Sequence, residues 1–174
     1  MSAETITLEQ FMKHDYQSYE YVKGELIPMS MPTMEHGGIS SNIVTLLNTY
    51  VRQNQLGRVY TAETTFKIGL SGRKPDAAFV SQGRIPENIR QASPAPPDLA
   101  VEVVSPSDAF YDVQEKAFEY LDAGTKMVWV VDPVSKTVIV YRSRDDIKTL
   151  TRSQTLTGED VVAGFSCLVA EIFE

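Results

Sequence analysis

The chain has 174 residues, 43% of them hydrophobic and 22% charged, a usage that excludes a disordered polymer and suits one compact domain spanning residues 1–174. No apolar run approaches the ~20 residues that cross a bilayer, residues 1–10 lack a basic segment followed by an apolar one, and the single cysteine, Cys167, excludes an internal disulfide or a thiolate metal cluster. A cytoplasmic protein without membrane association is expected, and its net charge of −7 speaks at first against nucleic acid, whose affinity comes mostly from Lys and Arg releasing counterions.

Thr7-Leu8-Glu9-Gln10 has the spacing of a capping box and predicts a short first helix. Two short apolar-rich runs, residues 19–22 and 25–29, flank Lys23-Gly24 and predict a β-hairpin. Residues 32–38 are turn-like. Ile39, Ile43, Leu46, Leu47, Tyr50 and Val51 then repeat at helical spacing, with Gly57 placed to stop the helix.

Residues 59–68 alternate and are β-branched, and residues 74–80 and 98–104 are further apolar runs bounded by Gly, Pro and Ser, so three strands are expected. The charge is uneven here. Residues 52–90 hold seven basic and three acidic side chains, whereas residues 1–51 hold two and six, and residues 91–174 seven and fourteen. Arg52, Arg58, Lys67, Arg73, Lys74, Arg84 and Arg90 form a basic island that is either a positive rim around a site or an ordinary solvated surface. The polar, proline-containing stretch 81–97 is longer than most internal connections. Residues 112–123 have helical periodicity ending at Gly124, and 127–131 is a continuous apolar run, as in a strand covered on both faces. Residues 138–141 are its expected hairpin neighbour across the turn 132–136. A peripheral strand or two and a short tail complete the chain.

Chemistry concentrates at Asp76, at the head of one strand, and Glu102, in the middle of another. Strand alternation puts Leu99, Val101 and Val103 on one side and Ala100, Glu102 and Val104 on the other, and both sides are otherwise apolar. A carboxylate in such surroundings is expensive unless a cation, a proton or a strong donor satisfies it. If the two strands are neighbours, Asp76 and Glu102 converge on a hard-oxygen site suited to Mg²⁺ or Mn²⁺ rather than zinc. Such a site serves phosphate-ester cleavage. Lys116 lies at the edge of the apolar face formed by Val113, Ala117, Tyr120 and Leu121, from which its stem can follow the core and its ammonium can reach a carboxylate site. There it could orient or deprotonate an attacking water or stabilise the transition state, or it could simply pair with Glu119 or Asp112.

The order Tyr19-Glu20, Lys23-Gly24-Glu25, His36, Lys74-Pro75-Asp76, Pro97-Asp98-Leu99, Val101-Glu102-Val103, Ser105-Pro106-Ser107, Lys116, Tyr120, Gly124 and Val128-Trp129-Val130-Val131-Asp132-Pro133 resembles the Uma-type endonuclease family, a restriction-endonuclease-like branch of the PD-(D/E)XK superfamily. The resemblance spans about residues 8–173. It implies an α/β (α+β) fold, a restriction-endonuclease-like mixed sheet flanked by helices with an N-terminal hairpin, a divalent metal, DNA as substrate and a homodimer. It carries Asp76 over as the first acid and Glu102 as the second. The lysine expected two residues after the second acid is Val104 here, and Lys116 occupies the place of a lysine relocated to the following helix. Val103 would offer its backbone carbonyl to the metal.

Glu63, in the alternating run, is an additional candidate carboxylate or a solvent-facing residue. His36 could hydrogen-bond a phosphate or orient Glu35, or serve as a turn residue. Trp129 belongs to the core, and Asp98 to the start of its strand. The expected activity is metal-dependent DNA hydrolysis. The alternative is a nuclease-like fold that binds nucleic acid or protein without cutting, while a glycosidase-type carboxylate pair would leave the lysine and the Pro-Asp context unexplained.

Overall fold

In a computed structural model, residues 6–174 are described; residues 1–5 lie outside the described residues. Helix α1 (Leu8–Lys13) opens with the expected capping box: Thr7 accepts from the Gln10 amide while the Gln10 side chain accepts from the Thr7 amide. Strands β1 (Tyr19–Val22) and β2 (Glu25–Pro28) form the hairpin, with Val22 opposite Glu25. Lys23 and Gly24 both take positive φ, 48° and 110°, the requirement of a type I′ turn.

Helix α2 (Met34–Gln53) starts earlier than expected, so residues 34–38 are helix and not turn. Thr33 caps it by accepting from the His36 amide at 3.1 Å, which helps offset the roughly 1 kcal/mol that Gly37 and Gly38 each cost inside a helix. Gly57 does not end this helix. Asn54 is its C-cap, and Gly57 opens β3 (Gly57–Thr61), where a Cβ would meet the Val80 carbonyl at 2.1 Å.

The run 59–68 is two strands in two sheets, because the chain turns at residues 62–65 between β3 and β4 (Phe66–Ile68). Similarly, Arg73 ends β5 (Ser71–Arg73), and Lys74, Pro75 and Asp76 separate it from β6 (Ala77–Ser81). Pro75 has no amide proton to continue a ladder. The short β4–β5 hairpin therefore leaves the main sheet and joins β1 and β2 in a four-stranded sheet of order β2-β1-β5-β4.

The main sheet has six strands in the order β10-β9-β8-β7-β6-β3. Strand β7 (Leu99–Val103) runs antiparallel to β6 and parallel to β8 (Met127–Asp132), and helix α3 (Phe110–Asp122) makes the crossover that a parallel pair requires. Strands β9 (Thr137–Tyr141) and β10 (Ile147–Leu150) complete it, followed by the hairpin β11 (Thr155–Thr157) and β12 (Ser166–Leu168) and the short α4 (Val169–Ile172).

Alternation along β7 divides the core as expected. Leu99, Val101 and Val103 pack with Ile39, Ile43, Leu47 and Val51 of α2, while Ala100 packs with Val113, Ala117 and Tyr120 of α3. Trp129 and Cys167 belong to the α2 side, and burial pushes the Cys167 thiol up to about 11. The long connection 81–97 is fastened at both ends. Ser93 exchanges backbone hydrogen bonds with Thr65 and Lys67, and Asp98 accepts from the Ser81 amide and from Arg84.

Candidate active site

Ala77 pairs with Val101, so continuing the antiparallel register sets Asp76, just before β6, opposite Glu102. Both line one open cleft of about 1560 Å³ between the two sheets, the start of α2 and one side of α3. Asp76 Oδ2 accepts from the Val103 amide at 2.7 Å and stands 3.3 Å from His36 Nε2. His36 is there because α2 begins at Met34 and presents its first turn to the cleft. The hydrogen bond to Asp76 raises the imidazole pKa against the opposing effect of burial.

Glu102 is 8% exposed. Its Oε2 accepts from Lys116 Nζ at 3.0 Å and its Oε1 from the Tyr120 hydroxyl at 2.8 Å. Lys116 and Tyr120 are one helical turn apart on α3, so both reach the same carboxylate. Lys116 is shared, because its ammonium also lies 3.1 Å from Glu20 Oε1. Glu20 Oε2 in turn pairs with Arg73 at 2.9 Å, and Arg73 pairs with Glu119, which also accepts from the Ser71 hydroxyl.

Five groups thus alternate in sign across the cleft wall, Glu102, Lys116, Glu20, Arg73 and Glu119, with three carboxylates against two cations. Asp76 adds a further negative charge beside Glu102. Burial pushes Glu102 up to about 7, and the charges of Asp76 and Glu20 support that shift against Lys116. Lys116 is displaced upward, since Glu102 and Glu20 outweigh its burial. Burial opposes the charge of Glu20 too, but Lys116 and Arg73 overcome it and hold the carboxyl low.

A family model described as a putative restriction endonuclease, Uma2, matches residues 4–170. The chain belongs to the Uma2 family. Among solved structures, the crystal structure of a putative nuclease belonging to DUF820 from Anabaena variabilis ATCC 29413 superposes with a TM-score of 0.86, covering 97% of each chain at 24% identity. At that identity the likeness speaks for the fold, the nuclease-like α+β architecture expected from the motifs. No curated protein matches the chain. Family membership assigns this Uma2 chain to the nuclease-type proteins.

Within the Uma2 fold, Asp76, Glu102, Val103, Lys116, His36 and Glu63 all border the cleft. Glu63 is exposed on the turn between β3 and β4, not within a strand. Glu35 does not border it: the residue is exposed beside a separate, shallow depression with Lys136, Phe173 and Glu174. Neighbours on a helix point about 100° apart, so His36 and Glu35 face different surroundings. Of the basic island only Arg73 and Lys74 reach the cleft, and both are engaged, Arg73 with carboxylates and Lys74 with the Tyr16 carbonyl.

Beyond the basic island that contains Arg73, the motif order that contains Glu20 and the possible pairing of Glu119 with Lys116, nothing local in the sequence places Glu20, Arg73, Glu119 or Ser71 in the site. Tyr120 had a partial signal in its helical spacing from Lys116. Glu119 sits on the polar side of α3, and the four-stranded sheet covers that side, which local periodicity does not encode.

Proposed function

We propose that this Uma2 chain is a Mg²⁺- or Mn²⁺-dependent endonuclease that hydrolyses DNA phosphodiesters with water in a single step. The observation that carries the reading is the meeting of Asp76 and Glu102 in one cleft, with Lys116 bonded to Glu102. The donor set fits a hard divalent ion. Among the described residues no three His, Cys, Asp or Glu side chains form a metal cage, but two carboxylates and the Val103 carbonyl leave room for the waters and phosphate oxygens that Mg²⁺ retains. Three carboxylates set against two cations, with Asp76 beside Glu102, also leave this wall short of positive charge. When bound, the ion would stabilise charge on the phosphate and lower the pKa of a coordinated water.

The chain's own groups supply the remainder. The Val103 amide fixes the rotation of the Asp76 carboxylate, and His36 backs it from α2. Tyr120 fixes Glu102. Lys116, held between two carboxylates, keeps its proton and acts as a donor that orients the attacking water or meets the phosphate oxygens in the transition state. Glu63 at the rim is an accessory carboxylate. The same reading includes a cytoplasmic location and a homodimer, which would set two clefts against one duplex; sedimentation equilibrium tests the dimer.

The test is cleavage of supercoiled plasmid and of single-stranded DNA by wild type and Asp76→Ala, each with Mg²⁺, Mn²⁺ or a chelator. Metal-dependent nicking that falls at least about 100-fold in the variant is expected. Equal behaviour of the two proteins overturns the enzyme reading. A second reading, a non-cleaving module that holds nucleic acid or protein, draws on the cleft's engaged cations, and retention of DNA without any cleavage favours it.

A further inference from the structure

The catalytic trio uses none of the four-stranded sheet, yet that sheet buries a carboxylate against Lys116. Glu20, on β1, is 6% exposed. Its two oxygens engage three donors: Lys116 Nζ at 3.1 Å, Arg73 Nη1 at 2.9 Å and the Lys74 amide at 2.8 Å. Arg73 is fixed in turn by Glu119, whose other oxygen accepts from Ser71. Such an arrangement leaves the Glu20 carboxylate little freedom to rotate.

We propose that Glu20 is the positioning residue for Lys116, holding its ammonium at the reacting edge of Glu102 while Arg73 and the Lys74 amide hold Glu20. This rests on the nuclease reading of the site. The reason is one of charge and freedom. Lys116 has a long flexible stem, and ordering it against a single partner is entropically unfavourable. A divalent cation on Glu102 would also repel an ammonium whose only counter-charge was that same carboxylate. Glu20 supplies a second counter-charge, so Glu102 can share its oxygens with a cation while Lys116 stays in place. The hairpin sheet is then part of the catalytic apparatus: β1 contributes Glu20, and β5, with the residue after it, contributes the groups that hold Glu20.

Glu20→Gln keeps the shape and removes the charge, and Glu20→Asp keeps the charge on a shorter stem. Cleavage at saturating DNA and metal is expected to fall about 10- to 100-fold in Glu20→Gln with KM for DNA within about twofold, and to recover partly in Glu20→Asp. A double-mutant cycle separates positioning from scaffolding: in a Lys116→Met background, Glu20→Gln should cost nothing further, because the group it positions is gone. An equal loss in both backgrounds overturns the proposal, as does a wild-type rate in Glu20→Gln. Crystal structures of the two Glu20 variants need no activity and so separate failure of this inference from failure of the nuclease reading. Lys116 Nζ is expected to leave the position it holds between residues 20 and 102 in Glu20→Gln and to regain it in part in Glu20→Asp; an unmoved ammonium refutes the positioning role even if wild type cuts no DNA.

Discussion

Two buried carboxylates stand at opposite ends of β7, and their surroundings have opposite consequences. Asp98, just before the strand and 1% exposed, accepts from the Ser81 amide at 2.8 Å, from Arg84 at 2.7 Å and lies 3.0 Å from Lys126. Burial opposes its charge, but the Ser81 amide, Arg84 and Lys126 prevail and hold it down at about 2. Glu102, near the other end, has one ammonium shared with Glu20, one phenol and a second acid nearby, and burial carries it up to about 7. One end of the strand is an over-compensated structural anchor. The other is deficient in positive charge, the condition in which a cation and an anionic substrate have something to gain.

Substituting each of the two carboxylates separates their roles most strongly. Glu102→Gln keeps the Tyr120 contact and leaves Lys116 with Glu20, so cleavage is expected to fall at least about 100-fold while chemical denaturation shifts by under about 1 kcal/mol. Asp98→Ala should do the reverse. It strips Arg84, Lys126 and the Ser81 amide of their acceptor and is expected to cost about 2–3 kcal/mol, with the cleavage rate per folded molecule within about twofold. Comparable losses of stability in both variants would erase the distinction.

The pH dependence of stability also distinguishes the two carboxylates. The folded-state pKa of Asp98 is depressed from 3.8 to about 2, so its contribution is present above the unfolded value and is lost as pH falls from about 3.8 towards 2. About 1–2 kcal/mol of acid sensitivity in that window should be present in wild type and absent from Asp98→Asn, measured by urea midpoints across pH 2–5. An unchanged acid limb in the variant would mean that Asp98 is not the anchor. The smallest effect is expected at Glu35. Glu35→Gln should alter neither the midpoint, within about 0.5 kcal/mol, nor the rate, within about twofold, since its side chain faces away from the cleft.

Much of the frame was legible locally. The alternation of β7 announced which of its residues face α2 and which face α3, the apolar run at 127–131 announced a central strand, and the spacing of Ile39 to Val51 announced the body of α2. The positions of Asp76 and Glu102 followed from these together with the motif order. Failures arose where a long-range partner overrides local pattern. Residues 59–68 alternate without interruption, yet the chain changes sheets in their midst because β1 offers β5 a partner. Glu119 carries the helical spacing of a solvent-facing acid, and Glu20 that of an ordinary hairpin residue. Only the packing of the four-stranded sheet over α3 turns both into members of the buried chain of charges. Asp98 and Glu102 themselves could not be told apart as anchor and site, since Arg84 and Lys126 reach Asp98 from segments distant in sequence.

The most direct measurement is anomalous diffraction from crystals grown with Mn²⁺. One peak per chain is expected within coordination distance of the Asp76 and Glu102 carboxylates and the Val103 carbonyl, roughly 2.0–2.3 Å, and its loss in Asp76→Ala. A Mn²⁺ ion bound elsewhere, or none at a concentration that supports cleavage, would contradict this expectation.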